Sequence, residues 1–216
     1  DFEHRLYLPI IGLLIMLSQT ALFKNLKASM MTIVVVSICS VFAVINYMHQ
    51  QSFESPLSFW TEAVRTTPNS SYANMMLGAR MKEQDAQQGE ALMWKAYAIN
   101  PKEKYVNYYL GQNFLNKNQL DSAEKFLMNE MKTSAYFETP FLLSRVEILK
   151  KDTMLSLKYM ADYLEKDPSN SQAINNYVLM LTQTNQWQKA KEFVAKKQAE
   201  QIAIPSELIK LANQNQ

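Results

Sequence analysis

Two apolar runs open the chain. Leu6–Phe23 and Ala28–Met48 carry no acidic or basic side chain and are separated by the short turn Lys24-Asn25-Leu26-Lys27. The first run holds Ser18, Gln19 and Thr20 as its strongly polar positions; the second holds Ser29, Thr32, Ser37, Ser40 and Asn46. At 1.5 Å rise per residue the two runs reach roughly 27 and 31 Å as helices, close to the thickness of a bilayer core. Hydrocarbon offers no partner to backbone N–H and C=O groups, so an uncharged run of this length is expected to be a spanning helix. The pattern predicts a membrane region over residues 1–50 with transmembrane helices at 6–23 and 28–48. The alternative is a pair of helices buried in a soluble core. The second run, from Met30 to Tyr47, has no polar face to turn to water, which favours the membrane.

Beyond residue 50 the pattern changes to amphipathic segments. Residues 51–69 read as a polar connector followed by a short helix, Ser58–Arg65, with Phe59, Trp60, Ala63 and Val64 on one face. A period of about 33–34 residues then appears. Pro68 and Pro101 are 33 apart, Leu77-Gly78 returns as Leu110-Gly111, Trp60 and Trp94 are 34 apart, and Ala123 returns two periods later as Ala190. Each period splits into two helices: Ser70–Glu83 with Gln88–Ile99, Lys104–Asn116 with Leu120–Lys132, Thr139–Leu149 with Thr153–Glu165, and Ser171–Thr184 with Trp187–Glu200. Ser206–Ala212 reads as a terminal cap.

Packing explains the recurrence. Gly78, Gly111, Ala123 and Ala190 are small enough for two helices to approach closely, while Tyr109, Phe114, Phe126, Tyr177 and Trp187 fill the space beside them. Asn100-Pro101 and Asp167-Pro168 end second helices, because the residue before proline avoids the helical region. The run Leu110-Gly111-x-x-Phe114, followed by Ala123, resembles the tetratricopeptide repeat signature. The first unit is one residue short between Gly78 and Pro101. The third has Ser144 where glycine is usual and no proline near Ser134, so its register is the least determined. The helix at Ser58 resembles the second helix of a unit lacking its first. The fold class expected is all-α: a two-helix transmembrane hairpin, then a tetratricopeptide-type α-solenoid over residues 70–216.

Composition narrows the function. The net charge of +2 is too small to argue for a nucleic-acid partner. Cys39, inside the second apolar run, is the single cysteine and excludes an intrachain disulfide framework. The 4 Gly and 7 Pro among 216 residues fit a helical chain. The start at Asp1 suggests a piece of a longer protein. Lys24 and Lys27 in the turn favour a cytoplasmic turn, which puts the repeats on the periplasmic, lumenal or extracellular side.

Before the first span stand Glu3, His4 and Arg5, with Tyr7 and Pro9 following. These residues read as a polar cap with an interfacial tyrosine. The sharper reading makes Arg5 a fork for a lipid phosphate, with Glu3 orienting it. The stretch Glu3-His4-Arg5-Leu6-Tyr7-Leu8-Pro9, followed by a span, a basic turn, a second span and helical repeats, resembles the C-terminal part of the transmembrane-and-tetratricopeptide O-mannosyltransferases and related C-type glycosyltransferases. The resemblance implies a parent protein that uses a polyprenyl-phosphate sugar and a divalent metal, with acidic catalytic residues in an early loop N-terminal to this chain. Glu3 and Arg5 are the only positions it maps, and it carries no catalytic residue over.

Stacked repeats of this kind present their first helices on a concave face. Asn74, Asn107, Tyr108, Asn175 and Asn176 are expected there, where amides and a phenol can hydrogen-bond an extended peptide; the alternative is that they are solvated surface groups. No spacing of His, Cys, Asp or Glu suits a metal, and no nucleophile elbow or phosphate-binding glycine loop occurs. This chain is therefore expected to hold no catalytic residue, metal or cofactor of its own. Its expected partners are a protein or peptide on the repeats, and membrane lipid. Two functions compete: the C-terminal interaction region of a lipid-linked-sugar-dependent glycosyltransferase, or a non-enzymatic membrane-tethered adaptor for envelope protein assembly.

Overall fold

The computed structural model describes residues 27–51 and 53–214, together with Gly12, Ile15, Met16 and Gln19. Glu3 and Arg5, and most of the expected first span, lie outside the described residues. The chain divides into two compact units, Asp1–Ser58 and Phe59–Gln216. Among the described residues every regular element is a helix.

In the first unit α1 spans Ala28–Gln51, three residues beyond the expected end. It holds no Asp, Glu, Lys or Arg, and its apolar side chains are exposed around the helix, as at Ile33, Val36, Phe42 and Val44. Within it, Ser29–Tyr47 is long and apolar enough to cross a membrane, and none of it is buried. The Ser40 hydroxyl donates to the Val36 carbonyl one turn back, at 2.8 Å. Helix α2 (Pro56–Thr66) starts with proline at its first position, where no helical N–H is lost. Ser55 and Ser58 cap that start reciprocally, each hydroxyl accepting from the other's N–H at 3.0 Å.

The second unit continues as four helix pairs and a cap. The pairs are α3 (Ser71–Met81) with α4 (Ala86–Ile99), α5 (Val106–Asn116) with α6 (Leu120–Thr133), α7 (Thr139–Leu149) with α8 (Thr153–Lys166), and α9 (Ser171–Gln183) with α10 (Trp187–Ala199). Helix α11 (Ser206–Ala212) packs on α9 and α10. Start signals set the boundaries. Helix α4 begins two residues earlier than the periodicity suggests, because the Asp85 carboxylate accepts from the N–H groups of Gln87 and Gln88. Helix α5 begins two residues later, because Tyr105 takes a left-handed conformation at φ 70°. Ser70, Asp152 and Asn170 cap α3, α8 and α9 through their side chains.

Close approach within each pair comes from small residues. A Cβ at Gly78 would stand 2.7 Å from the Gly89 carbonyl oxygen, and one at Gly111 would stand 2.7 Å from the Leu127 side chain. In the third pair Ser144 and Ser156 take this role. Their hydroxyls lie 2.8 Å apart, and Ser156 also reaches the Ser144 carbonyl at 2.8 Å, fully buried. The register left open by Ser144 is thus held by a serine pair. Between first and second helices of the last three repeats the chain turns through Asn118, Lys151 and Asn185, at φ 57°, 67° and 57°.

The core is a succession of three clusters rather than one mass. Met75, Met93 and Leu110 centre the first; Leu127, Leu143 and Val146 the second; Met160, Ile174 and Leu181 the third. First helices also touch each other along the stack, α3 with α5 and α5 with α7, so those of the first three pairs form a continuous face.

Candidate functional site

The sequence places tyrosines at i, i+3 and i+4 on α5 and its N-terminal turn, Tyr105, Tyr108 and Tyr109, with Gln112 following at i+7. Residues so spaced share a stripe of helix surface. The loop into α7 adds Tyr136, Phe137 and Glu138. These side chains meet. Tyr136 packs edge-to-face on Tyr105 at 4.7 Å, on Tyr108 at 4.8 Å and on Phe137 at 5.2 Å. Tyr108 packs on Tyr109 at 5.4 Å. On α3, Tyr72 is exposed and rests edge-on against Trp60 of α2. The result is an aromatic strip across three repeats, with Tyr105, Tyr109 and Tyr136 half-buried and Phe137 exposed.

Glu138 is the acid of the strip. It accepts the Tyr108 hydroxyl at 2.8 Å. Burial first, and then Glu138, push the Tyr108 and Tyr136 hydroxyls well above the usual phenol range. Burial also raises Tyr109, opposed by the Arg80 guanidinium. Farther along, Tyr163 donates to Asp167 at 3.0 Å; burial and that carboxylate push it up to about 12. A phenol raised in the native state holds its proton after the unfolded chain has begun to lose its own near pH 10. Stability from these groups is therefore present below pH 10 and is lost as pH climbs towards 12. Spectrophotometric titration should show the Tyr108 and Tyr136 hydroxyls ionising well above pH 10.

The residues expected on a peptide-binding face separate into two groups. Asn74 and Asn107 are 0% and 1% exposed and are off the accessible surface. The Asn74 amide donates to the carbonyls of Pro68 and Ser70 at 2.9 and 2.7 Å, and Asn107 donates to the Pro101 carbonyl at 2.8 Å. Each amide ties down the turn that enters its repeat, which is why the two recur 33 residues apart. Tyr108 is 7% exposed and contributes through its hydroxyl to Glu138. Asn175 and Asn176 are half-buried on α9, and the Asn175 Oδ1 has no partner among the described residues.

Sequence reasoning passed over Tyr105, Tyr136 and Glu138. The clustering of tyrosine around residues 105–109 was the available signal. It also passed over Glu130 on α6, which is 0% exposed. Its Oε1 accepts the Tyr105 N–H at 2.9 Å and the Ser134 hydroxyl. This carboxylate supplies the acceptor that α5 lacks at its own N-terminus, where no side chain caps. Among the described residues no three His, Cys, Asp or Glu side chains converge as metal donors.

No family model and no curated protein matches the sequence. Solved structures do match in fold. PilF of Pseudomonas aeruginosa superimposes with a TM-score of 0.61 at 15% identity, covering 77% of this chain and 77% of its own. PilW, a type IV pilus biogenesis factor, gives 0.60 at 14% identity over 83% of this chain and 87% of its own. YrrB, a tetratricopeptide protein with an unusual peptide-binding site, gives 0.57 at 14% identity over 63% and 71%. Helix pairs, a repeat near 33 residues, small residues at the crossings and these neighbours together identify the fold as an all-helical tetratricopeptide-type solenoid.

Proposed function

We propose that this chain is a membrane-tethered docking module that presents the first-helix face of its solenoid to a polypeptide partner. The aromatic strip carries the reading. Tyrosine combines a large rigid contact area with a polar tip, and such residues dominate binding energy at interfaces. The peptide-binding site of YrrB, on the same type of fold, supports a peptide or protein as the occupant. Helix α1 supports a tether, since its stretch Ser29–Tyr47 is uncharged, long and apolar enough to cross a membrane and unburied among the described residues. The lysine-bearing turn before it favours repeats on the non-cytoplasmic side.

Selection of a random decapeptide display library on the full-length chain in detergent micelles tests the docking role. Peptides should be recovered that bind about tenfold more weakly to the Tyr72→Ala, Asn176→Ala double variant, with its melting temperature unchanged. Failure to recover any peptide would overturn it.

A second reading keeps the same module as the C-terminal region of a lipid-linked-sugar-dependent glycosyltransferase. It rests on the Glu3–Pro9 stretch, and Arg5→Ala in the intact parent would then weaken lipid-phosphate donor use while leaving folding intact. Without that parent the adaptor role for envelope protein assembly stands by itself.

A further inference from the structure

Glu138 sits at the N-terminal boundary of α7, half-buried, yet its side chain caps no helical N–H. Its carboxylate accepts from the Tyr108 hydroxyl at 2.8 Å, and the Tyr136 hydroxyl also hydrogen-bonds to it. No lysine or arginine among the described residues pairs with it, although Lys150, Lys117, Lys197 and Arg65 elsewhere all hold carboxylates. Glu138 is only half-buried, so a partner can approach its carboxylate. Around it stand the rings of Tyr105, Tyr108, Tyr136 and Phe137, meeting at 4.7 to 5.2 Å. Aromatic faces carry negative potential and attract cations, most strongly where water is partly excluded. Burial keeps the Tyr108 and Tyr136 phenols protonated far above neutral pH, so Glu138 is the formal charge beside them. A half-buried carboxylate framed by aromatic rings and lacking a cation is complementary to one.

We infer that Glu138 and the surrounding rings of Tyr105, Tyr108, Tyr136 and Phe137 receive a lysine or arginine side chain of the docked partner. The inference rests on the docking role proposed above and names the chemistry that role requires. The ammonium or guanidinium pairs with the Glu138 carboxylate, and its aliphatic stem lies along the rings.

The test uses the full-length chain in micelles with 13C-labelled tyrosine and phenylalanine rings. It is titrated with n-butylammonium chloride and, separately, with sodium chloride at equal ionic strength. The ring signals of Tyr105, Tyr136 and Phe137 should shift with butylammonium only, while that of Tyr177 stays fixed. Glu138→Gln should weaken the apparent affinity at least about fivefold. Phe137→Leu, at an exposed position, should weaken it about twofold and guards against a folding defect in the first variant. Equal shifts with both salts, or unchanged affinity in both variants, would overturn the cation site. Decapeptides selected in parallel separate the two proposals. Enrichment of Lys or Arg supports the cation site. Peptides selected without that enrichment overturn it and leave docking intact, whereas butylammonium binding with no peptide selected keeps the cation site and removes docking.

Discussion

Replacing Glu130 with alanine should lower the unfolding free energy by about 3 kcal/mol, the larger of two effects expected from single substitutions. The side chain is completely enclosed, and its Oε1 is the partner of the Tyr105 N–H. Alanine would orphan that donor and the Ser134 hydroxyl, and would leave a void of several atoms beside α5. Tyr105 makes the effect sharper. A left-handed residue without glycine costs on the order of 1 kcal/mol, and the carboxylate is what holds it there. Glu130→Gln keeps an acceptor and should lose no more than about half as much. Urea titrations at constant m-value would measure both. An alanine variant within about 1 kcal/mol of the parent would refute the assigned role.

The second large effect is expected at Gly78. Alanine there should destabilise by about 2 kcal/mol, although alanine favours a helix interior over glycine by nearly 1 kcal/mol. The added carbon would lie 2.7 Å from the Gly89 carbonyl oxygen and 3.1 Å from the Met93 N, both backbone atoms that yield only if α3 and α4 separate. Gly111→Ala is the control. Its nearest neighbour is the Leu127 side chain, which can rotate away, with backbone no nearer than the Ala123 oxygen at 3.3 Å. Its loss should therefore be smaller, about 1 kcal/mol. Thermal melts of the two variants side by side would decide the order, and equal losses would show that close backbone approach is not what selects glycine at residue 78.

Much of the solenoid was legible before the structure, because its determinants are local and repeat. Proline after Asn100 and Asp167, glycine at 78 and 111, and alanine at 123 and 190 fall where second helices end and crossings tighten. Each needs only its own neighbours to be read. Ser144 was harder, since a lone serine reads as polar surface; only Ser156, twelve residues on, turns it into a crossing contact. Asn74 and Asn107 were misleading for a related reason. An amide on a first helix looks like a ligand for a peptide, and the turn carbonyls of Pro68 and Pro101 that satisfy it are set by three-dimensional closure rather than by spacing. Gly89 was missed because the first hairpin is one residue shorter than its neighbours and shifts the pattern. Glu130 and Glu138 could not be found by periodicity at all. A carboxylate in an amphipathic helix or a loop is normally solvated, and its burial or its aromatic surroundings depend on partners 25 and 30 residues away.

The three core clusters share two side chains. Tyr109 packs against both the first and the second, and Phe141 against both the second and the third. Repeat arrays melt as a single transition only when neighbours are strongly coupled. In this molecule those two aromatic rings are among the splices through which that cooperativity passes. How far the solenoid unfolds as one unit consequently depends in part on how firmly those two rings are held.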